Sequence, residues 1–122
     1  VVDTTIITSM PSIDLQRICR DMTNVATDVT FTRNKDEFII KCEGDFALQK
    51  TTIEYKNDDS NFKGLLSGVY SLKYINLFTK ATTMCSTVQI IQEDQNRFMV
   101  MKYNVANLGI MKFYLATKID ED

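Results

Sequence analysis

One order of extended and helical segments occurs twice along the chain, and that repeat limits the folds open to it more than any single residue does. Residues 4–8, Thr4-Thr5-Ile6-Ile7-Thr8, are β-branched throughout and predict a strand. Pro11-Ser12 then announces a helix, with Ser12 as N-cap and Asp14 a carboxylate in the first turn. Leu15, Ile18, Cys19 and Met22 follow at i, i+3, i+4 and i+7, a single apolar stripe, with Arg17 and Arg20 directed away from it. After Asn24 the pattern becomes extended. Val29 to Thr32 and Phe38 to Cys42 read as strands around a polar turn, Arg33-Asn34-Lys35-Asp36-Glu37. Gly44-Asp45 marks a bend before a longer extended run from Phe46 to Tyr55, and Asn57 to Asn61 reads as a surface loop.

The second half repeats the plan. Leu65, Leu66, Val69 and Tyr70 carry its first strand, and a helix is predicted over 71–80. On that helix Leu72, Ile75 and Phe78, with Tyr74 and Leu77, cover most of the circumference, leaving Lys73, Asn76 and Lys80 as a narrow polar strip. Strands over 86–91, 98–105 and 110–116 close the chain before an acidic tail, Asp120-Glu121-Asp122. The expectation is an α+β fold of duplicated βαβββ units, with two short helices packed on antiparallel sheets.

Composition removes several classes of function. At 122 residues the chain has the length of one domain, and 44% hydrophobic with 25% charged residues is an ordinary globular composition. Fourteen Lys and Arg against sixteen Asp and Glu exclude a polybasic protein that binds nucleic acid by bulk charge. With no histidine, the chain has no Ser-His-Asp, Cys-His or His-ligated zinc chemistry of its own. Cys19, Cys42 and Cys85 form no C-x-x-C pair and read as separate thiols of a reducing compartment. No apolar run is long enough for a helical membrane span. The opening Val1-Val2-Asp3 reads as a processed chain or a fragment of a longer one.

The distribution of charge is more informative than its sum. Arg17 and Arg20 on the first helix, and Lys73 and Lys80 on the second, stand opposite the apolar stripes. With the helices side by side, four cations on one surface of an acidic domain approach phosphates loosely. No aromatic residue is interleaved with them, which argues against a base-stacking platform. The alternative is two solvated faces, with Arg17 and Arg20 paired to Asp14 and Asp21.

Four blocks carry a family resemblance. Met10-Pro11-Ser12 with Arg17-Ile18-Cys19-Arg20-Asp21 resembles the start of the C-terminal domain of proliferating cell nuclear antigen, the eukaryotic-type DNA sliding clamp. The run from Leu72 to Thr82, Leu72-Lys73-Tyr74-Ile75-Asn76-Leu77-Phe78-Thr79-Lys80-Ala81-Thr82, is similar to that family's second helix, and Ser86-Thr87-Val88 follows at the family spacing. Met111 to Glu121 resembles its last strand and tail, whereas residues 43–69 diverge.

The resemblance implies a DNA-clamp domain and a processivity factor rather than an enzyme, with no cofactor and no metal. It implies a homotrimeric ring of two-domain subunits in the nucleus, or at a viral replication site. Residues 1–122 would be the C-terminal domain alone, without the N-terminal domain and most of the connector. Arg17, Arg20, Lys73 and Lys80 match positions facing the central hole and double-stranded DNA. Asp45, Phe46, Ala47, Leu48, Gln49 and Lys50 match the edge that pairs with the next subunit.

Tyr114, Ala116, Thr117, Lys118 and Ile119, with Phe98, match a pocket for short peptides of DNA polymerase, flap endonuclease and ligase type partners in replication and DNA repair, and a clamp loader is a further implied partner. The family commonly has Pro where this chain has Thr117, and Pro again near Phe98; both departures bear on pocket shape. Lys35 aligns with a position of ubiquitin attachment in some relatives, although Glu37 stands where they have Gly, and an unmodified surface lysine is the alternative. Two other readings remain beside this one: a subunit of a checkpoint-type heterotrimeric clamp, and an unrelated small enzyme using Asp58 and Asp59.

Overall fold

A computed structural model describes residues 5–55, 64–93 and 98–118. The first half runs β1 (Thr5–Pro11), α1 (Ser12–Met22), β2 (Asp28–Arg33), β3 (Glu37–Glu43) and β4 (Leu48–Glu54). The second runs β5 (Leu66–Ser71), α2 (Leu72–Phe78), β6 (Thr87–Glu93), β7 (Phe98–Val105) and β8 (Gly109–Ala116). This is βαβββ twice, as the sequence order predicts.

The pairing adds what local pattern does not contain. The two four-stranded antiparallel sheets have the orders β1-β6-β7-β8 and β4-β3-β2-β5. Each half therefore gives its first strand to the other half's sheet, with Ile7 opposite Ile91 and Val29 opposite Tyr70. Neither half completes a sheet alone, so the repeat forms a single core. Pro11 ends β1 without harm, because an edge strand tolerates the missing N–H at its end.

Strict alternation builds that core. Ile6 and Met10, Val29 and Phe31, Phe38 and Ile40, Val88 and Ile90, and Met99, Met101 and Tyr103 all point inward. Phe31 packs edge-on to Phe38 at 5.4 Å between centroids, and Phe78 stacks on Phe113 at 4.7 Å. The helices lie against each other; α1 also touches β1 and β6, and α2 touches β5 and β8. Burial of Leu15, Cys19 and Met22 follows the predicted stripe, with Ile18 partly covered.

Several local expectations are corrected. Ser12 is the first helical residue of α1, Pro11 holds the cap position, and the Ser12 side chain caps nothing. The buried Ser12 hydroxyl instead donates to the Cys85 carbonyl at 2.5 Å, tying the start of α1 to the segment after α2. Helix α2 ends at Phe78 and passes into a tighter 3-10 stretch, Thr79–Met84. Tyr74 and Leu77 are about half exposed, so the apolar cover of α2 is narrower than its sequence indicates. The extended run after the Gly44 bend begins at Leu48, not Phe46. Gly44 is required by close approach, since a Cβ there would stand 2.0 Å from the Val25 carbonyl oxygen.

Arg33 departs furthest from its reading as a turn residue. It is 1% exposed, because β2 alternates Val29, Phe31 and Arg33 inward. Its Nε donates to Thr8 Oγ1 at 3.0 Å, and its Nη1 to the carbonyl oxygens of Asn34, Lys35 and Glu37. The guanidinium lies 4.5 Å over the Tyr55 ring, whose hydroxyl donates to the Ser9 carbonyl. These contacts join the β1 edge of one sheet to the other sheet. A second seam, at the opposite edges, is made by the Lys118 amide donating to the Val69 carbonyl at 2.7 Å.

Candidate functional site

Helix α1 carries Asp14 in its first turn and Arg20 in its last, each at the end of the helix dipole that favours its charge. Its buried stripe faces the core, so Arg17 and Arg20 are left exposed. Lys73 is exposed on α2, and Lys80 is exposed in the 3-10 stretch rather than on the helix proper. The two helices are held side by side by polar contacts. Asn76 Nδ2 donates to Thr23 Oγ1 at 2.6 Å, and Gln16 Nε2 to the Thr79 carbonyl at 3.3 Å. Asn76, read as part of a narrow polar strip, is a bridge between helices.

A groove of about 590 Å³ runs over this junction, with Arg20 and Lys80 both lining it beside Asp21, Asn24 and Asn76. Arg17 borders a separate, mostly apolar hollow of about 470 Å³ with Met10, Ile53 and Tyr55. Lys73 lines neither. The structure thus brings two of the four cations into one groove and sets the others apart from it. None of the four forms an ion pair with a carboxylate of the described residues, so the alternative pairing with Asp14 and Asp21 is not made. Tyr74, next to Lys73, is exposed, so an aromatic ring does accompany these cations, contrary to the sequence reading.

The β4 edge is built differently. Gly44 N–H donates to the Ala47 carbonyl at 2.8 Å, closing a turn that presents Asp45 and Phe46. Phe46 is fully exposed and Leu48 about half exposed. Leu48, Gln49 and Lys50 open β4, which among the described residues pairs only with β3 and so stands at the edge of its sheet. Lys35 is exposed in the β2–β3 turn, which is shaped by Asn34 Oδ1 accepting from the Asp36 and Glu37 amides.

At the seam between β5 and the end of β8, a cavity of about 460 Å³ is lined by Phe98, Thr117 and Lys118 from the expected set. Tyr114 and Ala116 are exposed on the outer face of β8, opposite Val100 and Phe98 in register, and do not line it. Ile119, like Asp58 and Asp59, lies outside the described residues. Lys118 is tied at both ends, by its amide to Val69 and by Nζ to Asp28 Oδ1 at 2.6 Å. Sequence reasoning missed Gly68, Tyr70 and Gln92 as lining residues. Gln92 had a signal, since the alternation Val88, Ile90, Gln92 points it inward.

Burial pushes the Tyr70 hydroxyl and the Cys19 thiol up to about 12 each, so neither ionises near neutrality. Cys19 and Cys42 are buried, Cys85 is partly exposed, and all three are free thiols. Among the described residues no group of three or more Cys, Asp or Glu side chains is placed to hold a metal ion, and no helix is long and apolar enough to cross a membrane.

The family model for the proliferating cell nuclear antigen C-terminal domain matches residues 2–118. Among curated proteins, the chain is 34% identical to a probable DNA polymerase sliding clamp 1 of Paramecium bursaria Chlorella virus 1, over 88% of this chain and 43% of that protein. It spans less than half the length of this relative. Two helices side by side on two antiparallel sheets agree with a family match over nearly the whole chain, and the chain belongs to the proliferating cell nuclear antigen C-terminal domain family.

Proposed function

We propose that this chain is the C-terminal domain of a DNA polymerase processivity factor that acts without catalysis. The observation that carries the reading is the pair of adjoining helices whose exposed cations pair with no carboxylate of the described residues. Such cations meet phosphates from any sequence and release them readily, which is what sliding requires. Asp21 in the Arg20–Lys80 groove keeps the attraction weak. The viral relative's name, a probable DNA polymerase sliding clamp, supports the same reading.

In this proposal, a preceding domain completes each subunit and three subunits close a ring around duplex DNA. The β4 edge opening at Leu48, Gln49 and Lys50, with the preceding turn that presents Asp45, Phe46 and Ala47, accepts a strand of the next subunit. The cavity at Phe98, Thr117 and Lys118, with the outward Tyr114 and Ala116, takes short peptides of polymerases, nucleases and ligases, and a clamp loader opens the ring. The site of action is the nucleus, or a viral replication site in a host cell. Lys35 is exposed and available for ubiquitin attachment.

The test joins the chain to its preceding domain and measures mass in solution and retention on DNA. A trimer that stays on closed circular DNA and runs off once the circle is cut is expected. A monomer at micromolar concentration, or equal retention on both DNA forms, overturns the proposal.

A further inference from the structure

The outward face of the sheet β1-β6-β7-β8 carries an apolar row at right angles to its strands. Register places Ile7 opposite Ile91, Ile91 opposite Val100, and Val100 opposite Tyr114. Ile6, Ile90, Met99, Met101 and Leu115 alternate with them into the core, so all four point outward. Ile7 and Tyr114 are more than half exposed, and Ile91 and Val100 keep part of their surface in solvent. With strands about 4.8 Å apart, the row is about 14 Å long. The next outward row is polar: Ser9, Gln89, Lys102 and Lys112. Lys102 and Lys112 stand directly opposite each other, and like charges so placed disfavour the pairing of their strands. Neither forms an ion pair with a carboxylate of the described residues. On the other side of the apolar row the outward positions include Thr5, Glu93 and Phe98.

We infer that this face docks an acidic, apolar partner segment: its apolar residues lie on Ile7, Ile91, Val100 and Tyr114, while Asp or Glu side chains beside them meet Lys102 and Lys112. A carboxylate between the two ammonium groups removes their repulsion and gains charge-assisted contacts that a neutral or basic segment cannot make. Glu93 repels an acidic group on the opposite flank, so the segment seats in one orientation. Ile7, Ile91 and Val100 line no part of the cavity at Phe98, Thr117 and Lys118. The face therefore meets the proposed peptide pocket only at Tyr114 and does not rest on it.

The test uses synthetic peptides with fixed Leu and Phe residues, whose intervening positions are all Glu, all Gln or all Lys. Each is titrated by fluorescence anisotropy against the two-domain protein. At low salt the Glu peptide is expected to bind about five-fold more tightly than the Gln peptide, and the Lys peptide most weakly. In the double variant Lys102→Gln, Lys112→Gln that ranking disappears. In Ile7→Thr with Ile91→Thr, which leaves Tyr114 and the cavity intact, every peptide binds about ten-fold more weakly. No binding to the parent, equal affinity for the Glu and Gln peptides, or an unchanged ranking in the lysine variant overturns the inference. Binding to the isolated 122-residue chain but not to the two-domain protein also overturns it, because the preceding segment is then the occupant. Self-association of the isolated chain that the isoleucine variant abolishes does the same, with a second copy as occupant. Thermal melting supplies a second readout. The lysine variant is expected to melt no lower than the parent, whereas a loss of several degrees means the ammonium groups are already paired within the fold and ends the inference.

Discussion

Replacing Arg33 by alanine tests whether the buried guanidinium fastens the two sheets together. The substitution removes the bond from Nε to Thr8 Oγ1, the contacts to the Asn34, Lys35 and Glu37 carbonyls, and the ring contact with Tyr55. Thr8 is 1% exposed, so water does not replace the lost donor at its hydroxyl. One orphaned buried acceptor costs about 1–3 kcal/mol, whereas the three turn carbonyls lie nearer the surface and rehydrate at smaller cost. Loss of the arginine stem leaves a void whose lining forfeits further contacts. The sum is about 3 kcal/mol, a large share of the ~5–15 kcal/mol expected for a domain. At roughly 4 °C per kcal/mol for this size, the melting temperature falls by about 10 °C. Urea unfolding followed by circular dichroism measures the loss, with Arg33→Lys expected to fall between parent and alanine. A loss below about 1 kcal/mol for Arg33→Ala would refute the role of this seam.

Ser12→Ala removes the hydroxyl bond to the Cys85 carbonyl and should cost about 1–2 kcal/mol in the same assay; no loss would show that α1 is not held at that point. Alkaline pH should destabilise the fold in a defined window. The Cys19 thiol is raised by burial from 9.0 to about 12, so the unfolded chain releases this proton first and stability falls from about pH 9 to about pH 12, while remaining level below 9. A urea midpoint that stays constant from pH 8 to 11 would contradict that. Thiol labelling of the native protein at pH 8 should modify Cys85 well before Cys19 or Cys42, read by mass spectrometry of peptides, and equal rates would mean the core opens freely.

The fold was legible in the sequence where alternation and the helical period act locally. The eight strands and both helices fall close to their predicted places because β-branched runs and i, i+3, i+4 spacing are properties of short windows. Exchange of β1 and β5 between the halves was not legible, since strand pairing is decided by contacts far apart in sequence. Arg33 and Gln92 were missed for a shared reason. A polar residue at the end of a strand reads as the start of a turn, although the alternation before it points it inward. Ser12 has the chemistry of a cap, yet a tertiary acceptor on Cys85 takes its hydroxyl. At the candidate site, the cationic residues were visible as polar positions on apolar helices. Their distribution between the groove and the positions outside it depends on where α2 gives way to the 3-10 stretch carrying Lys80.

Polymerase processivity on primed circular DNA, measured over increasing salt with the two-domain protein, addresses the clamp proposal most directly. Substituting Arg17, Arg20, Lys73 and Lys80 together by alanine should shorten the products and flatten the salt dependence while leaving the trimer intact. Product lengths and salt dependence identical to those of the parent would contradict the assignment of this helix face to DNA.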